Sequence, residues 1–173
     1  MAKTSGGVRT YRQVSSTYRK RQVEVEAMRQ SGKYSSVEMG KGGGYVAIEK
    51  STARHKPEEL EAARILADKG YKVTLKNEAG LGHKVKTPDG YLFSASFEQR
   101  TPKGNTDINI RSSLYHVRDK KADVPVLYMK GSGHTRQSVE NGIRAFENAS
   151  KYRFKQIIVV TEDGRIHRHK HNK

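Results

Sequence analysis

The chain has 173 residues, and its 34 Lys and Arg against 18 Asp and Glu give a net charge of +16. This length allows one domain of ordinary size plus an extension. The positive charge favours polyanionic partners, nucleic acid first, although a ribosomal-like or merely soluble basic protein has the same signature. Without cysteine, the chain has no disulfides and no thiolate zinc sites. We find neither a bilayer-spanning apolar run nor a signal-peptide segment, so we expect no membrane partner and a cytoplasmic location unless another machine delivers the protein.

The first third of the chain is predicted to be a basic arm, residues 1–42. Residues 1–56 hold 12 Lys and Arg against 4 Asp and Glu, which is +8 of the total +16. Apolar residues are sparse, and Ser-Gly-Gly at 5–7 and Gly-Lys-Gly-Gly-Gly at 40–44 break the segment. We expect it to be disordered, or helical on a partner, with one basic helix over 17–29. Its candidate nucleic-acid-binding residues are Arg19, Lys20 and Arg21.

Residues 43–173 are predicted to form an α/β domain that opens with a short edge strand at 45–48. Pro57, with acidic residues after it, begins a helix that ends at Gly70, and a strand follows over 71–75. Two short strands around a turn are predicted between 85 and 98, because alternate residues there are apolar. They are Tyr91, Phe93, Ala95 and Phe97.

The second half of this domain alternates helices and strands. We predict a helix over 108–122, a buried strand over 124–129 and an amphipathic helix over 136–148. A second buried strand over 156–160 leads through a hairpin turn at 162–164 into a strand over 165–169. This alternation predicts a mixed sheet covered by helices on both faces.

The segment Pro88-Asp89-Gly90, with Glu98 nine residues after Asp89 and Arg100 two further on, is a candidate divalent-metal site. Two carboxylates can hold an ion of the Mg²⁺ type, and a cation can stabilise charge that develops on a phosphate. The alternative is a plain turn and the exposed side of a strand. Strand alternation places Glu98 and Arg100 on the polar side, opposite Phe97.

Glu59 is a third candidate carboxylate, in the first turn of the predicted helix 58–69. It shares a helical face with Ala62, Ala63 and Leu66, so it points among apolar neighbours, where an ionised carboxylate needs a partner or a metal. The alternative is that it turns to solvent and favours the helix N-terminus. Glu61 lies on the solvated side.

The order of these residues, a helix with Glu59, then a strand, Asp89 and Glu98-x-Arg100, resembles the PD-(D/E)xK nucleases. Within that superfamily the chain looks most like the C-terminal tRNA-nuclease domains of contact-dependent inhibition (CdiA-type) toxins, over residues 43–168. Similar domains occur in phage head proteins and other mobile-element proteins. Two features depart from the family pattern: Arg100 stands where Lys is usual, and, Gly90 apart, the hairpin lacks a turn glycine between Asp89 and Glu98.

The resemblance implies a restriction-endonuclease-like mixed central sheet flanked by helices, and metal-assisted hydrolysis of RNA, tRNA in particular. Asp89 and Glu98 would hold a divalent ion, Mg²⁺ or Mn²⁺ with Zn²⁺ as an alternative. Glu59 would orient water or a second ion, and Arg100 would face the scissile phosphate. It also implies an immunity protein or a phage structural protein as partner, with delivery into a target cell or packaging in a virion.

Two other functions stay open at this point. One is a DNA endonuclease or resolvase on the same fold. The other is a non-catalytic nucleic-acid-binding protein of a phage or mobile element, which Arg100 favours because arginine does not readily lose a proton.

Two further groups of residues stand out. The loop from Lys130 to Arg136 feeds a predicted helix, so Lys130, His134 and Arg136 are candidate phosphate or RNA contacts, against a plain connecting loop. His167, His169 and His171 alternate and would share one face of the last strand. They could capture a transition metal, although a solvated basic tail is the stronger expectation.

Overall fold

The structure is a computed structural model that describes residues 5–51, 54–77 and 86–171, with side chains from residue 17 in the first helix. Over these residues the protein is a mixed α/β structure of four helices and one eight-stranded sheet. The helices are α1 (Ser5–Gln30), α2 (Pro57–Asp68), α3 (Asp107–Asp119) and α4 (Arg136–Ser150). The strands are β1 (Tyr34–Met39), β2 (Tyr45–Glu49), β3 (Lys72–Leu75), β4 (Gly90–Leu92), β5 (Ala95–Arg100), β6 (Val124–Tyr128), β7 (Gln156–Val160) and β8 (Ile166–Lys170).

The strands lie in the sheet in the order in which they occur along the chain. The pairs β2–β3, β5–β6 and β6–β7 are parallel, and the other neighbouring pairs are antiparallel. It follows that β2, β3, β5, β6 and β7 all point the same way. Their carboxyl ends therefore meet at one edge of the sheet, which is where open α/β sheets bind ligands.

The helices cover the sheet on both faces, as the alternating pattern predicted. Alternate residues of each buried strand face opposite sides, so Val126 packs in the apolar cluster under α2 while Leu127 packs in the cluster under α3 and α4. On β2, Val46 faces α2, whereas Tyr45 and Ala47 join the cluster under α1. The sheet thus has α2 on one face and α1, α3 and α4 on the other.

The N-terminal segment contributes both a helix and an edge strand. β1 pairs with β2 in antiparallel fashion, so the prediction that the strand at 45–48 is the first, at the edge, was wrong. Val25 of α1 is 1% exposed and packs in one cluster with Val37, Tyr45 and Ala47. Only one inward apolar side chain of β1 is fully buried. With so few apolar residues to bury, the alternation in the sequence is too weak to distinguish an edge strand from a polar linker. The sheet therefore begins at Tyr34, within the range assigned to the arm, and the division at residue 42 stays a prediction.

The hairpin of β4 and β5 turns at a place that the alternation did not indicate. Phe93 lies in the turn with φ of 53° and is 56% exposed. The turn reverses the parity, so Leu92 and Phe97 are buried together under α2 while Tyr91 is 37% exposed. The prediction that Tyr91, Phe93, Ala95 and Phe97 share one side was therefore wrong.

Gly90 starts β4 and does not form part of a hairpin turn. A Cβ at this position would lie 1.8 Å from the carbonyl oxygen of Thr74 on β3. Only glycine lets the two strands approach this closely, so Gly90 fixes the start of β4 and the position of Asp89 before it.

The helix predicted over 17–29 begins earlier, at Ser5, whereas the elements predicted from Pro57 onward, apart from the hairpin of β4 and β5, agree with the structure to within a few residues at their ends. β7 has the predicted bounds, and α4 continues to Ser150, where Lys151 takes the left-handed conformation with φ of 56°. Among the described residues, no helix combines the length and the apolar character that crossing a bilayer requires.

Candidate active site

A cavity of about 460 Å³ opens at the carboxyl edge of the sheet. Its walls come from the segment after β2, the first turn of α2, the residue before β4, the end of β5 and the last turns of α3. The four residues that the sequence singled out for catalysis, Glu59, Asp89, Glu98 and Arg100, all line it. The remaining lining residues are Ser51, Arg54, His55, Lys56, Glu58, Gln99, Thr101, His116 and Lys120.

The cavity exists because β4 and β5 part at this edge. Their pairing ends at Gly90 opposite Phe97, while β5 continues through Arg100 with β6 as its neighbour. Asp89 occupies the gap, where its Oδ2 accepts a hydrogen bond of 2.7 Å from the backbone N–H of Gln99. A side-chain carboxylate thus replaces the missing strand partner, and it is only 8% exposed.

Glu98 is the most deeply buried carboxylate of the cavity, at 3% exposed. The register of β5 against β6 turns Glu98 and Arg100 toward α3, on the face opposite Phe97. That face is covered by α3, so the alternative of an exposed strand side does not hold. The Oε1 atom of Glu98 lies 3.2 Å from Nε2 of His116 and 3.8 Å from Nζ of Lys120.

His116 and Lys120 were not identified from the sequence. They stand one helical turn apart at the C-terminal end of α3, so they present side chains to the same side. Burial, followed by the positive charges of Arg100 and Lys120, lowers the pKa of the His116 imidazole below its ordinary value of 6.5. At neutral pH the ring is therefore largely uncharged beside the Glu98 carboxylate.

Glu59 is held by the start of its own helix. Its Oε2 accepts from the backbone N–H of Lys56 at 3.3 Å and lies 3.3 Å from Nδ1 of His55. The side chain is 15% exposed. Burial raises the pKa of the Glu59 carboxyl, but the hydrogen bonds from His55 and Lys56 outweigh it and the pKa is lowered. Glu59 therefore stays ionised, as a carboxylate that both faces the cavity and favours the helix N-terminus.

Arg100 supplies a hydrogen-bond donor that the described part of the protein leaves unused. Its Nε is buried, and among the described residues it has no hydrogen-bond partner. A buried N–H without a partner is costly in a folded protein and often marks a place for a ligand or an ordered water. An anion in the cavity would satisfy it.

Opposite charges are balanced around the cavity. Its lining has four basic residues, Arg54, Lys56, Arg100 and Lys120, and four acidic residues, Glu58, Glu59, Asp89 and Glu98. One bound divalent cation would make the lining net positive, which suits a phosphodiester.

The chemistry of the donor set fits a hard divalent ion that keeps part of its water shell. Asp89, just before β4, and Glu98 of β5 supply carboxylate oxygens. Mg²⁺ is commonly bound through one or two carboxylates, with waters and substrate phosphates completing the shell. Among the described residues, Glu59, Asp89 and Glu98 do not bring one oxygen each within 4.8 Å of one another. The three carboxylates therefore do not form a closed cage of protein ligands, and Glu59 would act across the cavity from the other two.

The loop after β6 lies at the same edge of the sheet but does not line this cavity. Lys130 donates to both carboxylate oxygens of Glu61 at 2.7 Å, and Tyr128 donates to Glu61 at 3.0 Å. The hydrogen bond to Glu61 raises the pKa of Lys130, and burial with the same carboxylate raises the pKa of Tyr128 to about 12. Glu61, placed on the solvated side by the sequence, instead anchors α2 to the end of β6.

His134 and Arg136 line a second cavity, of about 610 Å³, between α4 and β8. His134 Nδ1 lies 3.0 Å from Oγ of Ser138, and burial lowers the pKa of the imidazole. Arg136, with a side chain 79% exposed, pairs with Glu140 at 3.3 Å. A role for these two residues and Lys130 in binding nucleic acid stays a prediction.

The three basic residues of α1 differ in their surroundings. Arg19 and Lys20 are exposed. Arg21 has a side chain only 12% exposed, donates to the carbonyl of Gly43 at 2.9 Å and pairs with Glu24 at 3.0 Å. Arg21 therefore holds α1 against the sheet, and Arg19 and Lys20 are the two that a polyanion can reach.

A comparison with solved structures finds a chain of the CdiA-CT/CdiI toxin and immunity complex from Burkholderia pseudomallei. The TM-score is 0.53 at 23% sequence identity, and the match covers 71% of this chain and 98% of that one. The two chains share a fold. No protein-family model and no curated protein matches the sequence. The predicted resemblance to CdiA-type toxins is thus confirmed for the fold, while the PD-(D/E)xK assignment stays a prediction.

Proposed function

We propose that this protein is a toxin-type nuclease domain of the PD-(D/E)xK kind that cleaves RNA, most readily tRNA, by metal-dependent phosphodiester hydrolysis. The observation that carries the proposal is the convergence of Glu59, Asp89, Glu98 and Arg100 on one cavity. They come from a helix, from the residue before β4 and from β5, and contacts with neighbours hold the carboxylates of Glu59, Asp89 and Glu98. Carboxylates and a cation that converge at the carboxyl edge of a sheet can support metal-assisted phosphoryl chemistry.

Each residue has a role in this mechanism. Asp89 and Glu98 would hold the divalent ion, which when bound lowers the pKa of a coordinated water and neutralises charge on the phosphate oxygens. Glu59, kept ionised by its hydrogen bonds, would accept a proton from the attacking water or orient it. Arg100 would donate its unused Nε–H to a phosphate oxygen. His116 is a positioning residue, because it touches Glu98 and holds that carboxylate in place.

The proposed substrate and partners rest on charge and on the shared fold. A net charge of +16 favours a polyanion, and the exposed Arg19 and Lys20 lie on a basic helix beside the domain. The structural neighbour belongs to a complex of a toxin and an immunity protein. By this likeness we propose an immunity protein as partner, and delivery into a target cell as the route to the substrate.

A second candidate function is binding of nucleic acid without cleavage. Two observations favour it: Arg100 replaces the usual Lys, and the cation of Lys120 already lies 3.8 Å from Glu98, with the uncharged His116 ring 3.2 Å away. A DNA endonuclease on the same fold is a third candidate, because metal-assisted hydrolysis can act on a phosphodiester of either nucleic acid.

The test is to incubate the full chain with total tRNA and, separately, with plasmid DNA, each without metal and with Mg²⁺, Mn²⁺ or Zn²⁺. The variants are Asp89→Ala and Glu98→Ala, with Glu38→Gln as matched control. Glu38 is an acidic residue of β1 whose side chain is 59% exposed and does not line the cavity. Arg100→Lys tests the family position directly.

We expect metal-dependent cleavage of tRNA that both cavity variants lose and that the control and Arg100→Lys retain. Binding should survive in the cavity variants, because removing a carboxylate removes no positive charge. Cleavage of plasmid alone would support the DNA endonuclease. Tight binding without cleavage under any metal would support the non-catalytic function. Equal cleavage by all variants would contradict the proposed site.

A further inference from the structure

A second group of metal-binding side chains lies away from the candidate active site, where α4 meets the end of β8. Glu147 of α4, His169 of β8 and His171 just after it each offer a ligand atom, and these atoms all lie within 4.8 Å of one another. The spacing follows from the elements. Two histidines two apart on an extended chain share one face, and the last turns of α4 supply the carboxylate across from them.

The three side chains are held in place by their surroundings. The Glu147 side chain is 9% exposed, and Nε2 of His171 contacts its Oε1 directly. The two imidazole rings meet edge to face with their centroids 4.9 Å apart, and the backbone N–H of His171 donates to the carbonyl of Lys155 at 3.3 Å. A preformed arrangement of this kind lowers the ordering cost of binding an ion.

His169 has a nitrogen that can bind a metal ion and that no described residue contacts by a hydrogen bond. This atom, Nε2, is buried. Buried imidazole nitrogens normally have a partner, and a metal ion is a common one. Arg153, whose Nε lies 3.9 Å from Glu147, gives the carboxylate a compensating cation, but its side chain is 69% exposed and can move into solvent.

We propose that Glu147, His169 and His171 bind a divalent transition-metal ion, Zn²⁺ first. Two imidazoles and a carboxylate are a common set of three protein ligands for zinc, with water in the fourth position. The same set disfavours Mg²⁺, which prefers oxygen ligands. None of the three residues lines the cavity of Glu59, Asp89 and Glu98, so the two sites are separate. A bound ion would fasten the end of β8 to α4.

The experiment is calorimetric titration of the full chain with Zn²⁺, followed by the same titration of His169→Ala, His171→Ala and Glu147→Gln. His167→Ala is the matched control, because His167 lies on the same strand and is exposed but does not belong to the group. Asp89→Asn removes a ligand of the other proposed site, so it separates the two. Thermal unfolding with Zn²⁺ and with a chelator gives a second readout.

We expect one zinc site that persists in Asp89→Asn and in His167→Ala. His169→Ala and His171→Ala should each weaken it by more than about 100-fold, since loss of a supporting partner alone costs 10–100-fold. Glu147→Gln keeps the shape of the side chain and should weaken binding without unfolding the protein. The chelator should lower the melting temperature of the parent and leave that of His169→Ala unchanged. Equal zinc affinity in His169→Ala and the parent, or no saturable binding in the parent, would overturn the proposal and leave Glu147 and His171 as a simple ion pair.

Discussion

Replacing Asp89 separates its structural contribution from its proposed catalytic one. Its carboxylate accepts the backbone N–H of Gln99 at 2.7 Å in a place where β5 has no strand partner. Asp89→Ala leaves that buried N–H without a partner and loses the metal ligand. Asp89→Asn keeps an oxygen that can accept the same hydrogen bond, but it loses the charge that holds a metal ion.

The expected magnitudes follow from the burial of this bond. A hydrogen bond to a charged group contributes about 1.5–3 kcal/mol, so Asp89→Ala should lower the free energy of unfolding by about that amount. In a domain of this size that corresponds to roughly 3–12 °C in melting temperature. Asp89→Asn retains a neutral hydrogen bond and should lose only about 1 kcal/mol.

Both variants should lose metal-dependent cleavage to the same extent, although they differ in stability. Denaturant unfolding measures the first property, and cleavage of tRNA at saturating Mg²⁺ measures the second. If Asp89→Asn is as destabilised as Asp89→Ala, the hydrogen bond to Gln99 is not the structural contribution of this residue. If Asp89→Asn cleaves at the parent rate, the charge of Asp89 is not needed for cleavage.

Three further predictions concern packing, pH and binding. Gly142→Ala should destabilise the protein by about 1–3 kcal/mol in denaturant unfolding, because the added Cβ would lie 2.5 Å from Cβ of Ile110 on α3. This overpacking exceeds the gain of about 1 kcal/mol that alanine has over glycine in a helix. An unchanged unfolding midpoint would mean that α3 and α4 move apart at no cost in stability. The lowered pKa of His116 means that the unfolded chain binds the proton more tightly, so as pH falls through and below 6.5 the parent should lose stability relative to His116→Gln, and a stability difference that does not change between pH 7.5 and 5 would contradict this. Arg19→Ala with Lys20→Ala should weaken binding of RNA. The negative slope of log affinity against log salt should become less steep, by about 0.7 per lost phosphate contact on single strands and about 0.9 on duplex DNA. An unchanged slope would mean that α1 does not belong to the binding surface.

The sequence was informative where apolar periodicity is strong. Residues 157–160 are apolar and β-branched, and with Gln156 before them they predicted β7 with its observed bounds. Pro57, Gly70 and the stripe that includes Leu66 predicted α2, because helix start, stop and inward face all agree. The edge strand β1 was missed because an edge strand against a single helix buries few side chains, and its polar residues read as linker.

The candidate site could be predicted only in part, for a physical reason. Glu59, Asp89, Glu98 and Arg100 were found because their types and order carry chemistry. His116 and Lys120 of α3 are ordinary polar residues of an amphipathic helix, and only tertiary packing brings them to Glu98. His55 was missed for the same reason, since nothing before Pro57 indicates a contact with Glu59. The signal that could have found His116 and Lys120 is their spacing of four on the polar side of a predicted helix.

The most direct test of the central claim is the cleavage rate of tRNA under single-turnover conditions for the parent, Glu98→Gln and the control Glu38→Gln, with tRNA affinity measured for each. Glu98 is the most buried carboxylate of the cavity, and glutamine keeps its size while it removes the charge. We expect Glu98→Gln to lose at least about 100-fold in rate, the scale on which single catalytic groups act, and to keep its affinity for tRNA. Cleavage by Glu98→Gln at the rate of the parent and of the control would rule out a catalytic role for Glu98.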